Sequence, residues 1–269
     1  IEAKTEDSLS LAVSQLDGTV SSFVKDVREQ LIAMIAHLEV TIDYPEEDIE
    51  DVTSQEVREQ LEPILKAMDE LLSTANTGRL IRDGITTVIV GRPNAGKSSL
   101  MNALLRENRA IVTDIPGTTR DSIEEYMTVE GISLRLIDTA GIRDTQDTVE
   151  ALGVERARDY INKADIVLCV IDGSTPLTPE EIEILISVSG LNTIVLLNKS
   201  DVAQVVTDEN IEEHGTFTAI ERISAKDGEG SAVLSKWVQE LVYGGRVKQD
   251  NSAMISNVRH ISLMEQAKA

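Results

Sequence analysis

The sequence predicts an α/β domain with a mostly parallel sheet, inserted into an all-α helical bundle. Three observations carry this. Strand-like and helix-like segments alternate through the middle of the chain, as βαβ units require. Apolar residues recur at three- and four-residue steps over long stretches at its start and again at its end. Between them, the apolar run Thr87-Val88-Ile89-Val90 enters the glycine-rich turn Gly91-Arg92-Pro93-Asn94-Ala95-Gly96, followed by a helix start.

The first helix is expected from about residue 5 to 41, on the stripe Leu9, Val13, Leu16, Val20, Phe23, Val27, Leu31, Met34, Ile35 and Leu38. Pro45 and the acids around it break the pattern, and no His or Cys joins those carboxylates as ligands, so they read as a solvated linker. A second amphipathic helix is expected from about 54 to 80, with Val57, Leu61, Ile64, Leu65, Met68, Leu71 and Leu72 on one face. Pro63 either kinks it or marks a later start. The tail from Ala253 to Ala269 is helical in pattern and is expected to pack back on these helices. The expected domains are residues 1–80 and 246–269 for an incomplete helical unit and 81–245 for the inserted one.

Within the insert, strands are expected near 85–91, 123–130, 132–138, 166–171, 193–197 and 217–223, and helices near 97–106, 149–162, 178–188 and 230–242. Glu130-Gly131 joins two adjacent strands as a hairpin, so one edge strand runs antiparallel. Trp237 packs in the core with Val233, Leu234 and Leu241.

The chain has 269 residues, enough for two units. Its 41% hydrophobic and 3% aromatic content implies an aliphatic core. A net charge of −22 argues against broad non-specific nucleic-acid binding, since neutralising phosphates takes Lys and Arg. The lone cysteine, Cys169, lies in an apolar strand and reads as a core thiol, which suits a reducing, cytoplasmic setting. His37, His214 and His260 lack zinc-ligand spacing. No run reaches the length of a transmembrane helix, so no membrane partner is expected. The chain opens inside a helical pattern, which reads as part of a longer protein.

The chemistry begins with Gly91 to Ser99, a G-x4-G-K-S phosphate-binding loop in its strand–turn–helix setting. Amides of Asn94, Ala95, Gly96, Lys97, Ser98 and Ser99 cradle phosphate oxygens, Lys97 reaches the β- and γ-phosphates, and the Ser98 hydroxyl sits on Mg²⁺. Leu136-Ile137-Asp138-Thr139-Ala140-Gly141 ends a strand with an acid that holds Mg²⁺ through water, beside a Gly141 amide for the γ-phosphate. Alone, such an acid also serves as a turn cap. In Asn198-Lys199-Ser200-Asp201, Asp201 is suited to accept from the two donors on guanine that adenine does not present, while Asn198 and Lys199 hold the loop and cover the base. Ser224-Ala225-Lys226 offers amides toward the guanine carbonyl. Four such stretches in this order, each at an expected strand end, make a P-loop GTPase domain of the Ras-like kind, taking GTP and GDP.

These stretches resemble the G motifs of translation-factor-class GTPases. Asn94, with Thr113-Asp114-Ile115-Pro116-Gly117-Thr118-Thr119-Arg120-Asp121, is similar to the MnmE (TrmE) subgroup, with Era and Der as relatives. The stretch from Thr41 to Glu47 ahead of the insert, and Asn257-Val258-Arg259-His260 after it, are similar to the MnmE helical domain. The resemblance implies a GTPase that works with an MnmG-type flavoprotein on C5 of the wobble uridine of tRNA, with a tetrahydrofolate derivative bound by the full-length protein. Neither a folate-binding domain nor a C-terminal cysteine motif is found in this sequence, so the expectation is hydrolysis of GTP without completed tRNA modification.

Where a Ras-like protein has a water-orienting glutamine, this chain has Ile142. The resemblance implies K⁺ at the position of an arginine finger, held by the Asn94 side chain and by loop groups of Thr113, Ile115 and Thr118. It implies Thr119 as a switch ligand to Mg²⁺ and Asp114 as part of the same nucleotide-binding loop. It also implies Glu150 as the residue that positions water and self-association through the G domains, although an acid near a helix start is favoured by the dipole alone. Arg120 and Arg143 serve paired G domains or are simply solvated. The competing reading is an Era- or Der-like ribosome-assembly switch.

Overall fold

The computed structural model describes residues 5–43, 53–108, 124–138, 158–244 and 254–268. The chain divides into two units, one of Ile1–Arg82 with Val247–Ala269 and one of Asp83–Arg246.

In the helical unit, the expected first helix is two helices. Helix α1 (Glu6–Leu16) starts at a Thr5 cap whose hydroxyl accepts from the Ser8 amide, and α2 spans Thr19–Asp43. The break is at Asp17-Gly18, where Gly18 takes φ 80°. The apolar repeat crosses this break without a gap, but the two helices use different faces. Helix α1 buries Leu11 and Ser8 and leaves Leu9, Val13 and Leu16 exposed. Helix α2 turns Phe23, Val27 and Leu31 onto a core of Ile64, Met68, Leu71, Ile255 and Met264.

Helix α3 (Ser54–Ser73) begins with a reciprocal cap between Thr53 and Glu56 and runs on through Pro63, burying Ile64, Met68 and Leu71 beyond it. Pro63 thus neither delays the start nor ends the helix. The expected single helix ends at Ser73, and a separate α4 (Ala75–Asp83) follows Thr74. Thr74 then binds the tail: its hydroxyl accepts from the Ile255 amide at 3.1 Å, while Arg82 donates to the Ser256 carbonyl at 2.5 Å. Gly78 lies against that carbonyl chain, where an added Cβ would sit 2.5 Å from the Ile255 oxygen.

In the second unit, β1 (Ile85–Val90) leads through the loop into α5 (Lys97–Asn108). Strands β2 (Glu124–Val129) and β3 (Ile132–Asp138) pair antiparallel. Glu130 (φ 52°) and Gly131 (φ 79°) turn between them with both φ values positive, the signature of a type I′ hairpin. Helical residues 158–163 precede β4 (Ile166–Asp172), and the expected start of that helix at 149 lies outside the described residues. Then come α6 (Pro179–Val188), β5 (Thr193–Asn198), the short α7 (Asp208–Glu212), β6 (Ala219–Arg222) and α8 (Gly230–Tyr243). Helix α9 (Val258–Lys268) closes the helical unit.

The sheet order is β2-β3-β1-β4-β5-β6, parallel throughout except for β2. The central strands read as continuous apolar runs because helices cover both faces. Cys169 is fully buried there, and burial, seconded by Glu181, pushes its thiol up to about 12. Parallel order brings the C-terminal ends of β1, β3, β4 and β5 to one edge of the sheet, the usual place for a ligand crevice.

Helix propensity alone favours Gly78→Ala by about 1 kcal/mol. The backbone contact at Ile255 opposes it, and the expected net effect is destabilisation of the helical unit by about 1–3 kcal/mol. Hydrogen exchange checks this: amides of the 254–268 segment lose protection while those of β1, β4 and β5 do not.

Candidate functional site

The loop after β1 folds around its own lysine. Lys97 is 5% exposed, and its ammonium donates to the carbonyls of Gly91 at 2.8 Å and Arg92 at 2.7 Å. The Leu100 amide makes the first rung of α5 onto the Gly96 carbonyl at 2.9 Å, so the amides of Gly96 to Ser99 precede the helical ladder. Asn94 stands in the left-handed region at φ 65° and is exposed, as are Ser98 and Ser99.

Asn198, at the end of β5 and 3% exposed, joins this loop to the turn after β6. Its Nδ2 donates to the Ala95 carbonyl at 2.7 Å, and its Oδ1 accepts from the Ala225 amide at 2.9 Å. Gly96 lets the amide come this close. A Cβ there would lie 2.0 Å from Asn198 Nδ2, and φ is 106°.

Around this link the remaining polar groups are ordered by acids. Glu229 accepts from the Ser224 amide at 2.7 Å and from the Ser200 hydroxyl at 3.2 Å, tying the 198–201 and 224–226 turns together. Asp201 faces the Ser224 hydroxyl at 3.5 Å and the Lys226 ammonium at 3.8 Å, with Lys226 81% exposed. Lys199, at φ 65°, places its ammonium 2.5 Å from Asp172 at the end of β4. Burial pushes the Asp172 carboxyl up, but hydrogen bonds from Lys199 and Ser174 and the lysine's charge outweigh it and hold the group below the ordinary aspartate value.

Arg92 leaves the loop in the other direction. It reaches the Thr178 hydroxyl at 3.2 Å, Glu180 at 3.3 Å and the buried Glu181 at 3.8 Å, at the capped start of α6. A cavity beside the loop is lined by Arg92, Asn94, Ala95, Asp172, Glu181 and Lys199, among others.

Of the residues expected from sequence, Asn94 to Ser99, Asn198, Lys199, Asp201 and Ser224 to Lys226 are thus gathered at one edge of the sheet. Asp138 ends β3 at that edge, opposite Ile89 in register, and its side chain lies outside the described residues. Thr113, Asp114, Ile115, Thr118, Thr119, Gly141 and Glu150 also lie outside them. Among the described residues no cluster of His, Cys, Asp and Glu is fit to hold a metal. No helix among them is long and apolar enough to cross a membrane. Sequence reasoning missed Asp172 and Glu229. Asp172 carries the same signal as Asp138, an acid closing an apolar strand.

A family model, MnmE helical domain, matches residues 1–269. The tRNA modification GTPase MnmE of Clostridioides difficile (strain 630) is 45% identical over 267 residues, 99% of this chain and 58% of that protein. That of Heliobacterium modesticaldum is 47% identical over 280 residues, 100% of this chain and 59% of the protein. The chain therefore spans under two thirds of the length of these relatives. Among solved structures, the G domain of the T. maritima FeoB iron transporter aligns with a TM-score of 0.43 at 26% identity, over 58% of this chain and 98% of that one.

Asn198→Ala leaves the Ala95 carbonyl and the Ala225 amide without their buried partner. The expected loss is about 1–3 kcal/mol per orphaned group, read as a lower denaturant midpoint at unchanged slope.

The lowered Asp172 carboxyl contributes stability that is fully present above its unfolded value and is lost as pH falls through its folded value. Acid unfolding of Asp172→Asn is therefore expected to be less steep than that of the wild type below about pH 4, where this aspartate takes up its proton.

Proposed function

Because the chain belongs to the MnmE family, we propose that it binds GTP and hydrolyses it to GDP and phosphate, as the engine of a tRNA-modifying protein. The observation that carries this reading is the Asn198 side chain, which bonds at once to the phosphate-loop carbonyl of Ala95 and to the Ala225 amide of the turn suited to guanine. A single buried amide thereby couples a triphosphate cradle to a base pocket.

Each group then has a chemical task. The loop amides and Lys97 bind phosphate oxygens, and the missing side chain of Gly96 admits the Asn198 amide that braces the loop. Asp201 accepts from N1 and N2 of guanine, the Lys199 stem covers the base, and the Lys226 amide is the one left to meet its carbonyl, since the Ser224 amide is given to Glu229 and the Ala225 amide to Asn198. The exposed Ser98 hydroxyl is suited to Mg²⁺, with Thr119 and, through water, Asp138 completing the set. Asn94, in its left-handed and exposed position, is suited to K⁺ together with Thr113, Ile115 and Thr118. Bound cations there supply charge against that developing between the β- and γ-phosphates. Ile142 has no group to orient water; the resemblance to the MnmE family gives that role to Glu150 and implies that two G domains pair.

The wider activity extends beyond this chain. The reading is a cytoplasmic protein acting with an MnmG-type flavoprotein on C5 of the tRNA wobble uridine, with a tetrahydrofolate derivative bound elsewhere in the longer protein.

GTP turnover in KCl against NaCl at matched ionic strength tests the proposal. K⁺ is expected to stimulate the wild type, Asn94→Ala to lose that stimulation, and Glu150→Ala to lower kcat by about 10²-fold or more. Equal rates in the two salts remove the K⁺ assignment. Full turnover in Glu150→Ala returns that residue to helix-end electrostatics.

A further inference from the structure

We infer that Asp172 is a positioning residue for Lys199, fixing this lysine in the attitude from which its side chain covers the guanine base. The inference rests on the guanine-nucleotide reading above and adds a residue that none of the four motifs contains.

The topology makes the contact. Asp172 closes β4 and Asn198 closes β5, and the two are register partners across parallel strands. Lys199 is the next residue, and its left-handed backbone marks a tight reversal for a side chain with a Cβ. Its ammonium meets Asp172 Oδ2 at 2.5 Å. The other carboxylate oxygen is occupied too, since Oδ1 accepts from the Ser174 amide at 3.0 Å and from its hydroxyl at 2.6 Å. Both oxygens being held, the carboxylate cannot swing, and the lysine docks on a fixed anchor. The Lys199 carbonyl is held as well, by Gln204 Nε2 at 2.8 Å.

An ion pair between two free surface chains contributes little. Here the Asp172 side chain is 17% exposed and Lys199 40%, so the acid is the less exposed, pinned member and the lysine the one it orders. A flexible four-carbon stem loses rotamer freedom when it is laid against a base. Asp172 removes that freedom before the nucleotide arrives, which is preorganisation. It also satisfies the ammonium on the strand side, leaving the apolar stem for the base.

The test is the affinity of the whole chain for a fluorescent GDP analogue, in a double-mutant cycle. Asp172→Asn is expected to raise Kd about five- to tenfold, mostly through faster dissociation, as for residues sharing one hydrogen-bond network. In a Lys199→Ala background the same change is expected to have no further effect. Ser174→Ala, which frees Oδ1, gives a smaller shift in the same direction and serves if Asp172→Asn folds poorly. An unchanged Kd in Asp172→Asn, or an equal shift in both backgrounds, overturns the inference. A wild-type chain that binds no GDP overturns the guanine reading itself, a result distinct from either.

Discussion

The site depends on a side-chain amide that has no water to fall back on. Asn198 is buried at the end of a central strand, and its two polar atoms are spent on two different loops. A carboxylate there would set an oxygen against the Ala95 carbonyl, and a leucine would orphan two backbone groups. An amide offers a donor and an acceptor side by side on one short planar group. The phosphate loop and the 224–226 turn are far apart in sequence but are held at a common spacing by this one residue. Gly96 is the matching constraint, since any side chain there would displace the amide.

The sheet explains why such a link is possible. Parallel order places the ends of β1, β4 and β5 side by side, so Gly91, Asp172 and Asn198 leave neighbouring strands at the same edge. The strands are buried on both faces and their register is tied to packing on each side. Polar chemistry is thereby confined to the edge loops, whose positions are inherited from an apolar core. The caps follow the same logic: Thr178 and Glu181 start α6 and also receive Arg92 from the phosphate loop, so one acid caps a helix start and braces a loop.

What was legible in the sequence is what local rules encode. The phosphate loop, the Glu130-Gly131 hairpin and the apolar strands each announce themselves within about ten residues. The helix break at Gly18 was not legible, because Leu16 and Val20 keep the four-residue step across it and a stripe cannot report a rotation between two helices. Pro63 misled in the opposite sense, since the helix starts at the Thr53 cap ten residues earlier and its burial of Ile64, Met68 and Leu71 carries it past the proline. Helix α7 was also passed over, though Thr207 and Asn210 carry the same cap pattern as Thr53 and Glu56. Asp172 and Glu229 belong to another class. Asp172 shares the strand-end signal of Asp138 and Glu229 has no local signal, and each acquires its meaning from a partner supplied by another segment, Lys199 in one case and Ser200 and Ser224 in the other.

The charges at the site show how a strongly acidic chain can accept an anion. Each cation there already has an oxygen partner: Lys97 has two carbonyls, Arg92 has Glu180 and Glu181, Lys199 has Asp172, and Lys226 has Asp201. These pairings differ in how readily they exchange. The Lys226–Asp201 contact is long and its lysine is mostly exposed, so it is worth about 0–1 kcal/mol and, on the proposed reading, would give way to a base that offers Asp201 two donors. Lys97 rests on neutral carbonyls, which on the same reading a triphosphate would outbid because its oxygens carry full charge. The Lys199–Asp172 pair is the short one, and its acid is pinned by Ser174, so it is the pair that persists. On the proposed reading, the weakly held cations would face the ligand's polar groups and the firmly held one would supply a fixed wall.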